Sequence, residues 1–141
     1  MIQRIQSVFL LLAIAVCGAV LYFPLLNIQP ATGAALQLKA ADSIIVQVTL
    51  AVLIITGLGA LLLYKNRPLQ SRIAMLGGLI SLALFAGLLV FPGMLFKAIG
   101  TLPVKQEIGA WLVIGIDTFF FMAMLFIRKD EKLVRSADRI R

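Results

Sequence analysis

Long apolar runs bounded by charged residues divide this chain into four, and that division constrains its fold more than any other feature. The runs extend from Ile5 to about Leu26, from Ser43 to Tyr64, from Ile73 to about Phe96 and from Ile108 to Ile127. Each holds about 20 residues or slightly more, and at about 1.5 Å per residue a helix of that length reaches roughly 30 Å, the thickness of a bilayer's hydrocarbon core. The apolar residues do not alternate with period two, so a barrel of short strands fits poorly. Hydrophobic residues make up 62% of the chain and charged ones 13%. A soluble fold of this size could not cover that much apolar surface with so few charges. We read an all-α integral membrane protein: one transmembrane domain built as a four-helix bundle, with a basic helical tail over 128–141.

Lys and Arg set the expected orientation. Arg4 near the start, Lys65, Arg67 and Arg72 in the second loop, and Arg128, Lys129, Lys132, Arg135, Arg139 and Arg141 in the tail all fall on one side. Only Lys39, Lys97 and Lys105 fall on the other. Cytoplasmic loops carry the positive excess, so both termini are expected in the cytoplasm. The net charge of +7 then reflects topology and attraction to anionic lipid headgroups, about 1 kcal/mol per basic residue near the surface. No basic groove with interleaved aromatics points to nucleic acid. The first run is not read as a cleaved signal peptide, because cleavage after Ala15 would leave too short an apolar region. Val16 also stands where a lipidation signal before Cys17 would have a small residue, so Cys17 is expected to be a packed helix residue.

The same composition removes several chemistries. The chain has no His and one Cys, which excludes His-based triads, His metal sites and Cys clusters. No nucleophile–base pair or carboxylate pair can be placed in one site, so neither an enzyme nor a bound cofactor or metal is expected. Asp117 is the one charged residue well inside a run, about 15 Å along the fourth helix. A carboxylate at that depth costs roughly 2.5–3.5 kcal/mol on insertion scales. By depth its candidate partners are Thr56, Ser81 and Thr118. The group reads either as interhelical packing or partner contact, or as the proton or cation site of a small transporter.

Helix four and the tail (RKDEKLVRSADRIR) lack Gly and Pro after Gly115, so they can form one helix of up to about 34 residues, about 51 Å long. Leu133, Val134, Ala137 and Ile140 share a face that must cover something: the membrane surface, the Lys65–Arg72 loop or another protein. Pro30 and Gly33 break the long connection over 27–42, and Pro68 suits a tight turn or the first turn of helix three. Ala15 and Ala19, Thr56 and Ala60, Gly77 and Ser81, and Ala83 and Gly87 recur at spacings that let helices approach closely, within one bundle or between copies in a homo-oligomer. Residues 4–24 and 72–92 match at seven of 21 positions, ending in Phe23-Pro24 and Phe91-Pro92. A duplicated hairpin would give such an echo, and so would two Leu- and Ala-rich helices by chance.

Three stretches, MIQRIQSVFLLLA, LYKNRPLQSR and IRKDEKLVRSADRIR, resemble the small Bacteroidetes membrane proteins grouped as the domain of unknown function 4293 family. The resemblance spans the chain, with its distinctive motifs at the basic helix ends. It implies a four-helix protein of the bacterial inner membrane without an assigned activity. All three motifs lie on the expected cytoplasmic side, which suggests a working surface there. The first reading is a structural or accessory subunit that docks a membrane or cytoplasmic partner, or anionic lipid. The second is a small proton- or ion-coupled transporter centred on Asp117.

Overall fold

A computed structural model describes residues 2–29, 35–96 and 104–138, with the side chains of 2–4, 135, 137 and 138 outside the description. The first helix, α1 (Ile2–Val20), stops well before Leu26. Pro24 supplies the reason. Proline lacks an N–H, and its ring clashes with the carbonyl four residues back, here that of Val20. The chain turns on hydrogen bonds from Leu21 and Tyr22 to the carbonyls of Gly18 and Ala19. It then extends into strand β1 (Leu26–Ile28), followed by β2 (Leu36–Leu38) and a 3-10 turn at Ala40–Asp42.

Helix α2 (Ile44–Leu62) begins where the charge boundary placed it. The Ser43 side chain caps it by accepting the Val46 N–H at 3.4 Å, and its hydroxyl donates to the Leu95 carbonyl. Helix α3 (Arg67–Val90) starts at Arg67, not Ile73. Asn66 accepts the Leu69 N–H at 3.4 Å as an N-cap, and Pro68 occupies the first turn, where its missing donor costs nothing. The expected loop is thus a short turn, and Gln70, Ser71 and Arg72 belong to the helix. Proline disfavours helical geometry in the residue before it, so Pro92 ends α3 at Val90 and Phe91 leaves the helix with φ −128° and ψ 50°. One further turn, α4 (Pro92–Leu95), replaces the expected continuation to Phe96. After β3 (Val104–Gln106), helix α5 runs unbroken from Ile108 to Asp138, 31 residues or about 46 Å. The tail therefore continues helix four, as its lack of Gly and Pro leads one to expect. Pro30, Gly33, Lys97, Gly100 and Pro103 lie outside the described residues.

The fold is mostly helical, as expected, but three short strands add a small sheet that the all-α reading lacked. They form one antiparallel sheet in the order β2-β1-β3, with Leu26 opposite Leu38 and Gln106, and Ile28 opposite Leu36 and Val104. Leu-Asn-Ile and Leu-Gln-Leu alternate as strands do, but three residues are too short a run for period two to be distinguished from loop sequence. Flanking bonds tie the sheet to the helices. The Leu25 N–H donates to Leu38 O, the Glu107 N–H to Leu25 O at 3.0 Å, and the Gly109 N–H to Pro24 O at 2.9 Å. A Cβ on Gly109 would lie 2.5 Å from the Pro24 oxygen, so this close approach requires glycine.

The four long helices pack as a ring, α1 against α2 and α5, and α3 against α2 and α5. Phe120 sits at its centre, fully buried. A Cβ on Gly77 would lie 2.7, 2.8 and 2.9 Å from three carbons of that ring, and one on Gly57 would lie 3.6 Å from its tip. Cys17, Ala60 and Ser81 are buried at helix contacts, whereas Ala15 and Ala83 face outward and are not packing positions. Helices α2, α3 and the Ile108–Val134 part of α5 are each long and apolar enough to cross a membrane, and Ile5–Val20 is a shorter apolar helix. Their outward faces are apolar as well, with Val48, Ile55, Leu79 and Phe121 all more than half exposed.

Candidate functional site

The sequence pointed to two places, and the structure treats them differently. Asp117 lies on α5 facing α3. Its carboxyl is turned towards the Ser81 side chain, and one carboxyl oxygen stands 3.5 Å from where a Gly78 Cβ would be. The Ser81 hydroxyl itself donates to the Gly78 carbonyl at 3.0 Å. The other expected partners do not join them. Thr56 donates to the Leu53 carbonyl of its own helix at 2.8 Å, and exposed Thr118 to that of Ile114 at 2.9 Å. Hydroxyls in an apolar helix commonly satisfy themselves in this way. Of the four residues, only Asp117 and Ser81 meet. Among the described residues no three acidic or Cys side chains cluster as a metal site would require.

A groove between α3 and α5 starts at Asp117 and reaches Arg128. It encloses about 500 Å³, and apart from those two residues its lining is apolar: Ala74, Met75, Gly78, Leu79, Leu82, Phe121 and Met124. At its basic end Arg128 donates through Nε to the Ser71 hydroxyl at 3.3 Å and through a terminal nitrogen to the Met75 sulfur at 3.5 Å.

Past Arg128, the three motif-bearing stretches converge. Arg67 at the start of α3 pairs with Asp130 on α5 at 3.2 Å, the two side chains 25% and 12% exposed. Gln6 on α1, almost completely buried, donates its amide to the Phe126 carbonyl at 3.2 Å. Gln70 and Ser71 are buried beside them. A cleft of about 390 Å³ lined by Lys65, Arg67, Pro68, Glu131 and Val134 lies between the α2–α3 turn and the tail, and Leu133 and Val134 of the tail's apolar stripe remain exposed. Thus Arg67 and Arg128, both placed by the sequence on a basic partner or lipid surface, also make bonds within the chain, Arg67 partly buried and Arg128 exposed. Lys65, Arg72, Lys129 and Lys132 are exposed, with the Lys65 ammonium 5.9 Å from the Tyr64 ring centroid. The side chains of Arg4 and Arg135, and Arg139 and Arg141 entirely, lie outside the described residues. No sequence signal marked Gln6, Gln70 or Ser71, since a lone amide or hydroxyl near a helix end ordinarily meets water.

The family model of a domain of unknown function, DUF4293, matches residues 2–140, nearly the whole chain. The chain belongs to that family. No curated protein and no solved structure matches it. The stretches by which the DUF4293 resemblance is recognised are those that meet at the basic end: Gln6 from the first, Arg67, Gln70 and Ser71 from the second, and Arg128 and Asp130 from the third.

Proposed function

We propose that the protein is an integral protein of the bacterial inner membrane, crossing it four times with both termini in the cytoplasm. In this reading it is an accessory subunit whose basic end docks a membrane or cytoplasmic partner. Support for the membrane comes from the apolar outer faces of α2, α3 and α5, which water would not stabilise and lipid would. The observation that carries the docking reading is the basic end itself. The bonds of Gln6, Arg67 and Arg128 tie three helices together, and four further cations, Lys65, Arg72, Lys129 and Lys132, stand exposed on that platform. A rigid scaffold under a charged rim suits recognition of an acidic surface, giving orientation and fast encounter. The transport reading rests on Asp117 alone, which is turned towards Ser81.

The test is crosslinking and purification from native membranes, comparing the natural chain with Arg72→Ala/Lys129→Ala/Lys132→Ala. These three side chains carry no described internal bond, so the platform stays intact. One protein recovered with the natural chain, recovered again when that protein is tagged, and lost with the triple variant is the expected result. Equal recovery with both chains refutes docking through this surface. Flux of protons or sodium into liposomes holding the natural chain, abolished by Asp117→Asn, would replace the accessory reading with the transporter.

A further inference from the structure

We propose that the groove between α3 and α5 binds one anionic phospholipid, its phosphate on Arg128 and one acyl chain lying along the groove towards Asp117. The inference rests on the membrane reading but not on partner docking. A volume of about 500 Å³ falls within the range of small-molecule pockets, roughly 300–1,000 Å³. Its walls include Leu79, Leu82 and Phe121, each about half exposed on the apolar exterior, so an occupant arrives from within the bilayer and must itself be apolar along most of its length.

The two polar residues of the groove decide the occupant's charge. Asp117 is partly buried and turned towards Ser81 and Gly78 of α3, at the end of the groove away from the basic residues. Arg128 is different. Its described partners are a hydroxyl and a thioether, both neutral, whereas nearby Arg67 has a carboxylate. A guanidinium offers five N–H donors in a fork that matches phosphate bidentately. The two residues are eleven positions apart on α5, about 16 Å along the axis, too far to pair with each other and suited to a headgroup at one end and a chain between. Arg128 also lies at the end of the bundle that carries Arg72, Lys129 and Lys132, where the membrane reading puts anionic headgroups.

The experiment reconstitutes the full chain in nanodiscs of equal parts phosphatidylglycerol and phosphatidylcholine, then counts lipids retained after transfer to detergent by native mass spectrometry. We expect one retained phosphatidylglycerol, favoured over phosphatidylcholine by about tenfold, the factor that loss of one charged hydrogen-bonded contact would produce. Arg128→Gln should abolish the preference, and Leu82→Trp, which fills the groove while leaving the charge, should abolish retention. Arg72→Gln, at the same end but outside the groove, should change neither. Equal retention of the two lipids overturns the proposal, as does an equal loss with Arg128→Gln and Arg72→Gln, which would mark diffuse attraction to a basic surface. So does undiminished retention with Leu82→Trp. Recovery of the chain from the soluble fraction would instead refute the membrane reading.

Discussion

Gly77→Ala should destabilise the protein although alanine is the better helix former. The added Cβ would sit 2.7–2.9 Å from three carbons of Phe120, against the roughly 3.5–4.0 Å at which carbon atoms rest. The ring must therefore retreat by close to 1 Å. It has nowhere to go, being fully buried with its tip already near Gly57 of the opposite helix. Overpacking of this kind costs about 1–3 kcal/mol. The gain in helix propensity, up to about 1 kcal/mol, masks part of that cost, so a second glycine serves as reference. Gly115 is also interior to a long helix and has nothing within 4 Å of its virtual Cβ. Gly115→Ala receives the propensity gain without the clash. The stability difference between the two variants, followed by helical circular dichroism during SDS titration in mixed micelles, should be about 1–3 kcal/mol in favour of Gly115→Ala. Placing Gly77→Ala in a Phe120→Leu background should recover at least about 1 kcal/mol of it, since contacting residues do not behave additively. Equal stabilities for the two alanine variants, or strict additivity with Phe120→Leu, would refute the account of Phe120 as the wedge among α2, α3 and α5.

Two further outcomes are expected. Arg67→Ala leaves Asp130 poorly hydrated without its partner and should cost about 2 kcal/mol, below the roughly 3–5 kcal/mol of a fully buried pair because Arg67 is a quarter exposed; Arg67→Met/Asp130→Leu should cost less than either single change in the same SDS titration. Gly109→Ala places a Cβ against the backbone oxygen of Pro24, which cannot rotate away as a side chain can. Its stability loss should exceed that of Gly77→Ala in the same SDS titration.

The helical segments were legible in the sequence where charges bound them, and less so where geometry does. Asp42 and Glu107 placed the starts of α2 and α5 to within a residue or two. Hydropathy did not end α1 or α3, because the apolar residues continue past Pro24 and Pro92 while the backbone cannot. Arg72 gave the wrong start for α3, since helical backbone and apolar composition begin at different residues there. The strands escaped notice because Leu26–Ile28 acquires meaning only when Leu36–Leu38 and Val104–Gln106 lie beside it. At the basic end, the charge of Arg67 was visible, but its direction depends on Asp130, far along the chain and on another helix. Asp117 stood out as a charge inside an apolar run, whereas its nearness to Ser81 rather than Thr56 depends on how α3 and α5 pack.

The order of strands bears on how the protein is made. The central strand β1 follows the first helix, yet one of its edges is closed by β3, which precedes the last, and the bond from Asn27 to Glu107 spans 80 positions of sequence. At roughly 5–20 residues per second a ribosome delivers Val104 about 4–15 s after Ile28. Until Val104–Gln106 arrives, the N–H and C=O groups along that edge of β1 have no strand to meet, a state that invites wrong pairing. The sheet thus acts as a clasp that can shut only after the third long helix has been made and β3 has followed it, and a chain interrupted before β3 carries an open edge by which it can be told from a finished one.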